Sequence, residues 1–228
     1  MINKNGFTLV ELAIALMVIG LLIGGVLKGQ ELIENARMIR TIKDINDFDA
    51  AVMIFRNTYN GIPGDLRKAD TRLPHCNTAP CNNTVGVGNG RIDSEIKSAN
   101  FWVHLGRAGL VTRLQDETTA DFTNISPTNA FGGHFVMYYT SQFIPLRPNE
   151  KEKHLYSFAL SPTGDFRIDA ATAARFDMKG DDGKPLTGSI LIHENLSAMD
   201  QCYDPATEEY LNDPSLQCQI LQTSSSLD

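Results

Sequence analysis

The chain has 228 residues, 42% of them apolar, and a formal net charge of −7. That length suits one ordinary domain plus an appendage, and the apolar fraction belongs to a chain that folds, not to a disordered one. An acidic chain with no cluster of Lys and Arg argues against a nucleic-acid reader, so no nucleic acid is expected as a direct partner. The charge is unevenly spread: residues 7–27 hold only Glu11, and nearly all the rest lie beyond them.

Residues 1–6 form a short polar leader with one cation, Lys4. Phe7 to Leu27 then reads FTLVELAIALMVIGLLIGGVL. A run of about 21 apolar residues is near the length that crosses a ~30 Å hydrocarbon core as a helix. An ordinary secretory signal has its small-residue cleavage site after the apolar run. Here the small residue, Gly6, precedes it, so a cut there leaves the whole helix on the mature chain. Glu11 is the anomaly. A charged residue inside an apolar helix costs roughly 2.5–3.5 kcal/mol on insertion scales, and such residues usually have a partner and a function. A new amine at Phe7 would stand four residues from Glu11, on the same helix face.

Gly6-Phe7-Thr8-Leu9-Val10-Glu11, between a short cationic leader and an uninterrupted apolar helix, resembles the type IV prepilin cleavage and methylation motif. The resemblance implies that a prepilin peptidase cuts between Gly6 and Phe7, that Phe7 is then N-methylated, and that Glu11 serves subunit assembly. It implies an α+β, pilin-like fold, with a long N-terminal helix packed on a small antiparallel sheet. It also implies a single-pass protein of the bacterial inner membrane with a periplasmic head, carried to the cell surface if the filament extends there. The expected partners are the prepilin peptidase, other pilin or pseudopilin subunits, the inner-membrane assembly platform and membrane lipid. Gly20 matches a glycine common in these pilins, whereas Lys28 stands where many carry a proline. That departure points away from an ordinary major pilin.

Beyond the apolar run, Ile42, Ile45, Phe48, Val52, Phe55 and Tyr59 recur at steps of three and four, one face of an amphipathic helix. No proline interrupts the chain before Pro63. A continuous helix over 7–58 would be roughly 78 Å long at 1.5 Å per residue, too long for a small core, with 7–27 in lipid and the remainder carrying a head over 59–228. Asn60-Gly61-Ile62-Pro63-Gly64-Asp65 supplies strong turn chemistry to end it. Residues 64–94 read as a long irregular loop, which a compact domain must tie down.

In the head, 95–108 fits a short helix with Ile96, Phe101, Leu105 and Ala108 inward and Trp102 over the edge of the core. Phe135–Phe143, Leu155–Leu160 and Ser189–His193 read as strands, and Ile168–Met178 as a helix. A few antiparallel strands on a helix give an α+β roll. Ser224–Asp228 reads as a frayed tail. Four cysteines, Cys76, Cys81, Cys202 and Cys218, behind a membrane anchor point to disulfides in an oxidising compartment. They allow three pairings, of which proximity favours Cys76 with Cys81 and Cys202 with Cys218. Ile62-Pro63-Gly64-Asp65, Gly88-Asn89-Gly90 and Asp181-Asp182-Gly183-Lys184-Pro185 resemble elements of a subset of prepilin-like proteins, without identifying a ligand.

Asp177, Asp181 and Asp182 could gather oxygen ligands for Ca²⁺, though their spacing is not that of an EF-hand and Asp-Asp-Gly is also ordinary turn chemistry. No other cofactor is expected. Catalysis has little support. His193-Glu194 lacks the second His of a zincin, with Ser197 in its place, and Ser94-Glu95-Ile96-Lys97 lacks its companion motifs. His75, His104, His134, His154 and His193 are scattered. The chain therefore reads as a structural subunit, a minor pilin or a pseudopilin, of a type IV pilus or a type II secretion-type filament, and not as an enzyme. The competing reading is a membrane-tethered periplasmic ligand-binding domain that never polymerises.

Overall fold

The computed structural model describes residues 8–82, 88–112, 114, 125–140, 152–161, 164–165, 168–192, 202–213 and 215–227. One helix dominates: α1, Leu9–Tyr59. It is helical throughout because its apolar half is rich in Leu and neither half contains a proline. Thr8 caps the start, and Asn60, in the left-handed region at φ 46°, ends it with its N–H donating to the Arg56 carbonyl. The helix thus ends at Tyr59, beside the residue 58 expected from the sequence.

The helix has two environments. Apolar side chains from Leu9 to Leu27 are uncovered, from 49% exposed at Val18 to 88% at Leu9. From Met38 onward a stripe at steps of three and four is buried: Met38, Thr41, Ile45, Phe48, Val52 and Phe55. Phe48 is its centre, edge-on to Trp102 at 4.9 Å and to Phe135 at 5.1 Å.

After α1 come a four-residue turn of helix, α2 (Ala69–Arg72), and α3 (Glu95–Arg107). Strands β1 (His134–Tyr139), β2 (His154–Ser161), β3 (Gly164–Asp165) and β4 (Ile168–Asp169) follow, then α4 (Ala170–Gly180) and β5 (Ile190–Ile192). A small hairpin, β6 (Tyr203–Asp204) and β7 (Glu209–Tyr210), precedes β8 (Gln217–Cys218) and β9 (Ile220–Thr223). The main sheet is antiparallel in the order β1-β2-β9-β5, with β3 beside β2. Phe135, Met137, Tyr156, Ile190 and Ile220 join the core that includes α1, while Leu155, Leu191 and Leu221 form a separate cluster, as the two-residue period of strands requires. The fold is thus α+β and pilin-like, a long helix on a small antiparallel sheet.

Several local expectations change. Ile96 is 45% exposed, whereas Trp102 is fully buried between Phe48 and Phe101, not at an edge. Ile168 and Asp169 are strand β4, paired with β8, because Asp169 is the N-cap that starts α4 one residue later. The terminal serines are docked: Ser224, Ser226 and Leu227 are buried, and β9 just before them is an inner strand of the sheet. The ends of two expected strands, residues 141–143 and His193, lie outside the described residues.

Candidate functional site

The N-terminal half of α1 carries the residues singled out first. Thr8 and Glu11 form a reciprocal capping box. The Thr8 N–H and hydroxyl each donate to Glu11 Oε2 at 2.8 Å, and the Glu11 N–H donates to Thr8 Oγ1 at 3.3 Å. This satisfies amides that a helix start leaves without partners, and gives Glu11 a local set of donors. Gly6 and Phe7 lie outside the described residues. Past the apolar stretch, Lys28 pairs with Glu31 at 2.7 Å, and its hydrogen bond and charge hold the Glu31 carboxyl below its usual range. The head first grips the helix one turn later. Arg175 and Thr172 of α4 both donate to Glu34 Oε1, at 2.8 and 2.6 Å.

The head is fixed to α1 through a second carboxylate, Asp49. Its oxygens accept from the hydroxyls of Tyr156 (3.0 Å), Ser224 (2.7 Å), Ser225 (2.7 Å) and Ser226 (3.0 Å), and from the Ser225 N–H (2.9 Å). Arg56 donates to the Ser226 carbonyl. Burial, with the Asp49 charge beside it, pushes the Tyr156 phenol well above its usual range, so it stays a donor. No periodic signal marks this contact in the sequence, because its partners lie 107 to 177 residues from Asp49.

The long loop after α1 is organised by the two motifs noted within it. Asp65, almost fully buried, accepts the N–H groups of Gly88 and Gly90 at 2.7 Å and pairs with Lys97 at 2.9 Å. Gly64, at φ +80°, lets the chain pass against α3, since a Cβ there would run into the Lys97 carbonyl. Its N–H donates to His104 Nδ1 (2.9 Å), while His104 Nε2 donates to the Cys81 carbonyl (3.0 Å). Burial lowers the His104 pKa to about 4, against the opposing pull of Cys81 and Asp65, so the ring is neutral. Cys76 and Cys81 are disulfide-bonded, Cα to Cα 5.2 Å, beneath this ring. Gly88 and Gly90 therefore form a carboxylate cradle for the chain's own Asp65.

The C-terminal motif does similar work with charges of one sign. Asp177, Asp181 and Asp182 are brought together, with one ligand atom of each within 4.8 Å of the others. Each already has donors. Asp177 accepts from Tyr210 (2.7 Å) and the Gly183 N–H (3.2 Å), and Asp181 from the Ser189 and Ile190 N–H groups. Asp182 accepts from the Lys184 N–H (2.9 Å) and the Thr187 hydroxyl (2.6 Å). A cation entering here would compete with these donors. Burial raises the Asp177 pKa to about 6, helped by its two acidic neighbours and opposed by Tyr210 and Gly183. Tyr210 lies on β7, inside the loop closed by Cys202–Cys218, Cα to Cα 5.7 Å. The triad thus clamps the disulfide hairpin to the end of α4.

Among the described residues only α1 is long and apolar enough to cross a membrane. No curated protein and no solved structure matches the chain. Residues 1–27 match the family model described as the prokaryotic N-terminal methylation motif. With a bare apolar helix leading from it into a disulfide-tied α+β head, the chain carries the signature of the type IV prepilin and pseudopilin class.

Proposed function

We propose that this protein is a minor pilin or a pseudopilin, a structural subunit of a type IV pilus or a type II secretion-type filament. Prepilin peptidase removes residues 1–6 between Gly6 and Phe7 and N-methylates Phe7. Residues 7–27 hold the precursor in the inner membrane, and the head over 59–228 faces the periplasm until copies assemble. The observation that carries this reading is the contrast within α1. Its apolar first half is covered by none of the described residues, while one face of its second half is buried against the head. Such a helix needs lipid or other copies of itself around it.

Glu11 then has two states. In the precursor its donors come from Thr8. After cleavage the Phe7 amine becomes available, on the same subunit or a neighbour, and a repeated cross-subunit pair sets the axial stagger. The experiment is the intact mass and N-terminal peptide mass of the membrane-extracted protein, with and without the cell's prepilin peptidase. A chain beginning at N-methyl-Phe7 only when the peptidase is present supports the proposal. Met1 to Gly6 retained in both cases would replace it with a tethered, non-polymerising domain.

A further inference from the structure

Lys97 is 1% exposed, yet its Nζ meets four oxygens: Asp65 Oδ1 at 2.9 Å, Asp93 Oδ1 at 2.8 Å, Asn89 Oδ1 at 2.8 Å and the Arg91 carbonyl at 2.9 Å. An ammonium has three hydrogens, so the site is over-supplied with acceptors. Asn89 gives the crowding a chemical meaning. Its carboxamide is oriented by Asp93, whose Oδ2 accepts from Asn89 Nδ2 at 2.7 Å while Oδ1 of the same carboxylate contacts Lys97 Nζ. The Arg91 N–H donates to Asn89 Oδ1 at 3.0 Å. One carboxylate therefore bridges an amine and the nitrogen of an amide, and a backbone N–H sits on the amide oxygen.

We propose that Lys97 and Asn89 form an intramolecular isopeptide bond, with Asp93 carrying the proton. Asp93 takes a proton from the Lys97 ammonium, and the freed Nζ lone pair attacks Asn89 Cγ. The oxyanion forming at Oδ1 is met by the Arg91 N–H. Asp93 returns the proton to Nδ2, the Cγ–Nδ2 bond breaks, and ammonia leaves. A second Nζ proton passes out with the departing base, so the products are one secondary amide and one ammonium ion. Asn89 faces solvent, which gives the ammonia an exit. Holding the reacting groups at hydrogen-bond distance supplies the effective concentration that an amide needs to react with an amine.

The competing cyclisation of an Asn-Gly pair needs the Gly90 nitrogen, which here donates to Asp65 Oδ2. After the reaction the remaining Nζ–H still faces Asp65, whose oxygens keep the Gly88 and Gly90 N–H groups. The product fastens the glycine segment covalently to α3, a second covalent tie in the α1–α3 connection beside Cys76–Cys81. This bond stands apart from the filament reading, because it needs no cleavage and no second copy.

The test is the mass of the full-length, membrane-extracted protein after disulfide reduction, with the N-terminal state fixed from its own peptide. The expected chain is lighter than its sequence by one ammonia. Trypsin leaves Lys97 uncut, and the peptide 73–91 is found joined to 92–107. Asn89→Ala, at an exposed side chain, and Asp93→Asn should both return the full mass. A succinimide at Asn89-Gly90 loses the same ammonia, but it is cut by hydroxylamine and persists in Lys97→Arg. That pattern overturns the proposal, as does a full-mass wild-type chain cleaved by trypsin after Lys97.

Discussion

The head contains two connections that each carry a disulfide, and each is fastened by carboxylates in opposite ways. Between α1 and α3, Asp65 and Asp93 meet the Lys97 nitrogen, an ammonium until the proposed bond forms, and the neighbouring imidazole, His104, is neutral. At the end of α4, Asp177 meets two further carboxylates, and its own oxygens accept from the Tyr210 hydroxyl and the Gly183 N–H. The difference teaches which knot tolerates which loss. Removing one partner of a buried opposite pair strands a charge, whereas removing one member of a like-charged group relieves the others.

The largest expected effect is at the first loop. In an Asn89→Ala background, where Lys97 keeps its ammonium, Lys97→Met leaves Asp65 buried without its counter-ion and should cost about 3–5 kcal/mol in urea unfolding under non-reducing conditions. A loss comparable to that of an exposed ion pair would show that water reaches this cluster.

Acidification should separate the two loops. His104 ionises at about 4 in the fold, against 6.5 unfolded. Its contribution is therefore complete above pH 6.5 and is lost as pH falls toward 4, about 3 kcal/mol from the conversion of pKa shift to free energy. His104→Gln should flatten that slope in a pH series of unfolding midpoints. A slope unchanged in the variant would assign it to other groups.

Asp177 runs the other way. Its pKa is raised from 3.8 to about 6, so the protonated form is the one the fold favours. Its contribution is complete below pH 3.8 and lost as pH rises through 6. Asp177→Asn keeps an acceptor for Tyr210 without the charge, and should be more stable than wild type at pH 8 by on the order of 2 kcal/mol. At pH 4 the two should be nearly equal. A variant that is weaker at pH 8, with the difference abolished by chelating calcium, would make the cluster a cation site in place of a clamp.

The smallest effects are at the caps that aim each knot. Ser94 accepts the Lys97 N–H at the start of α3, and Asp169 accepts the Thr172 N–H at the start of α4. Replacing either by Ala should cost ~1 kcal/mol. Equal losses, measured by thermal unfolding, would mean that the loops differ only in their charges. A much larger loss at Ser94 would mean that α3 depends on Lys97 being held in register.

By itself the sequence determined everything written in local periods and short motifs. The methylation signature, the apolar run and the three-and-four spacing of Ile45, Phe48, Val52 and Phe55 lie within one helix, where neighbours in sequence are neighbours in space. The nearer cysteine pairing was legible for the same reason, since a short loop brings its own ends together. Only the tertiary structure decided the buried polar contacts. Asp49 reaches Ser224, Ser225 and Ser226, Asp65 reaches Gly88 and Gly90, and Asp177 reaches Tyr210. Each residue by itself reads as an ordinary polar surface position, so the sequence marks the last serines as a frayed end and Lys97 as half of an incomplete motif. Burying a carboxylate is favourable only where several donors converge on it, and that convergence is set by how α1, α3 and the sheet pack, not by spacing along the chain.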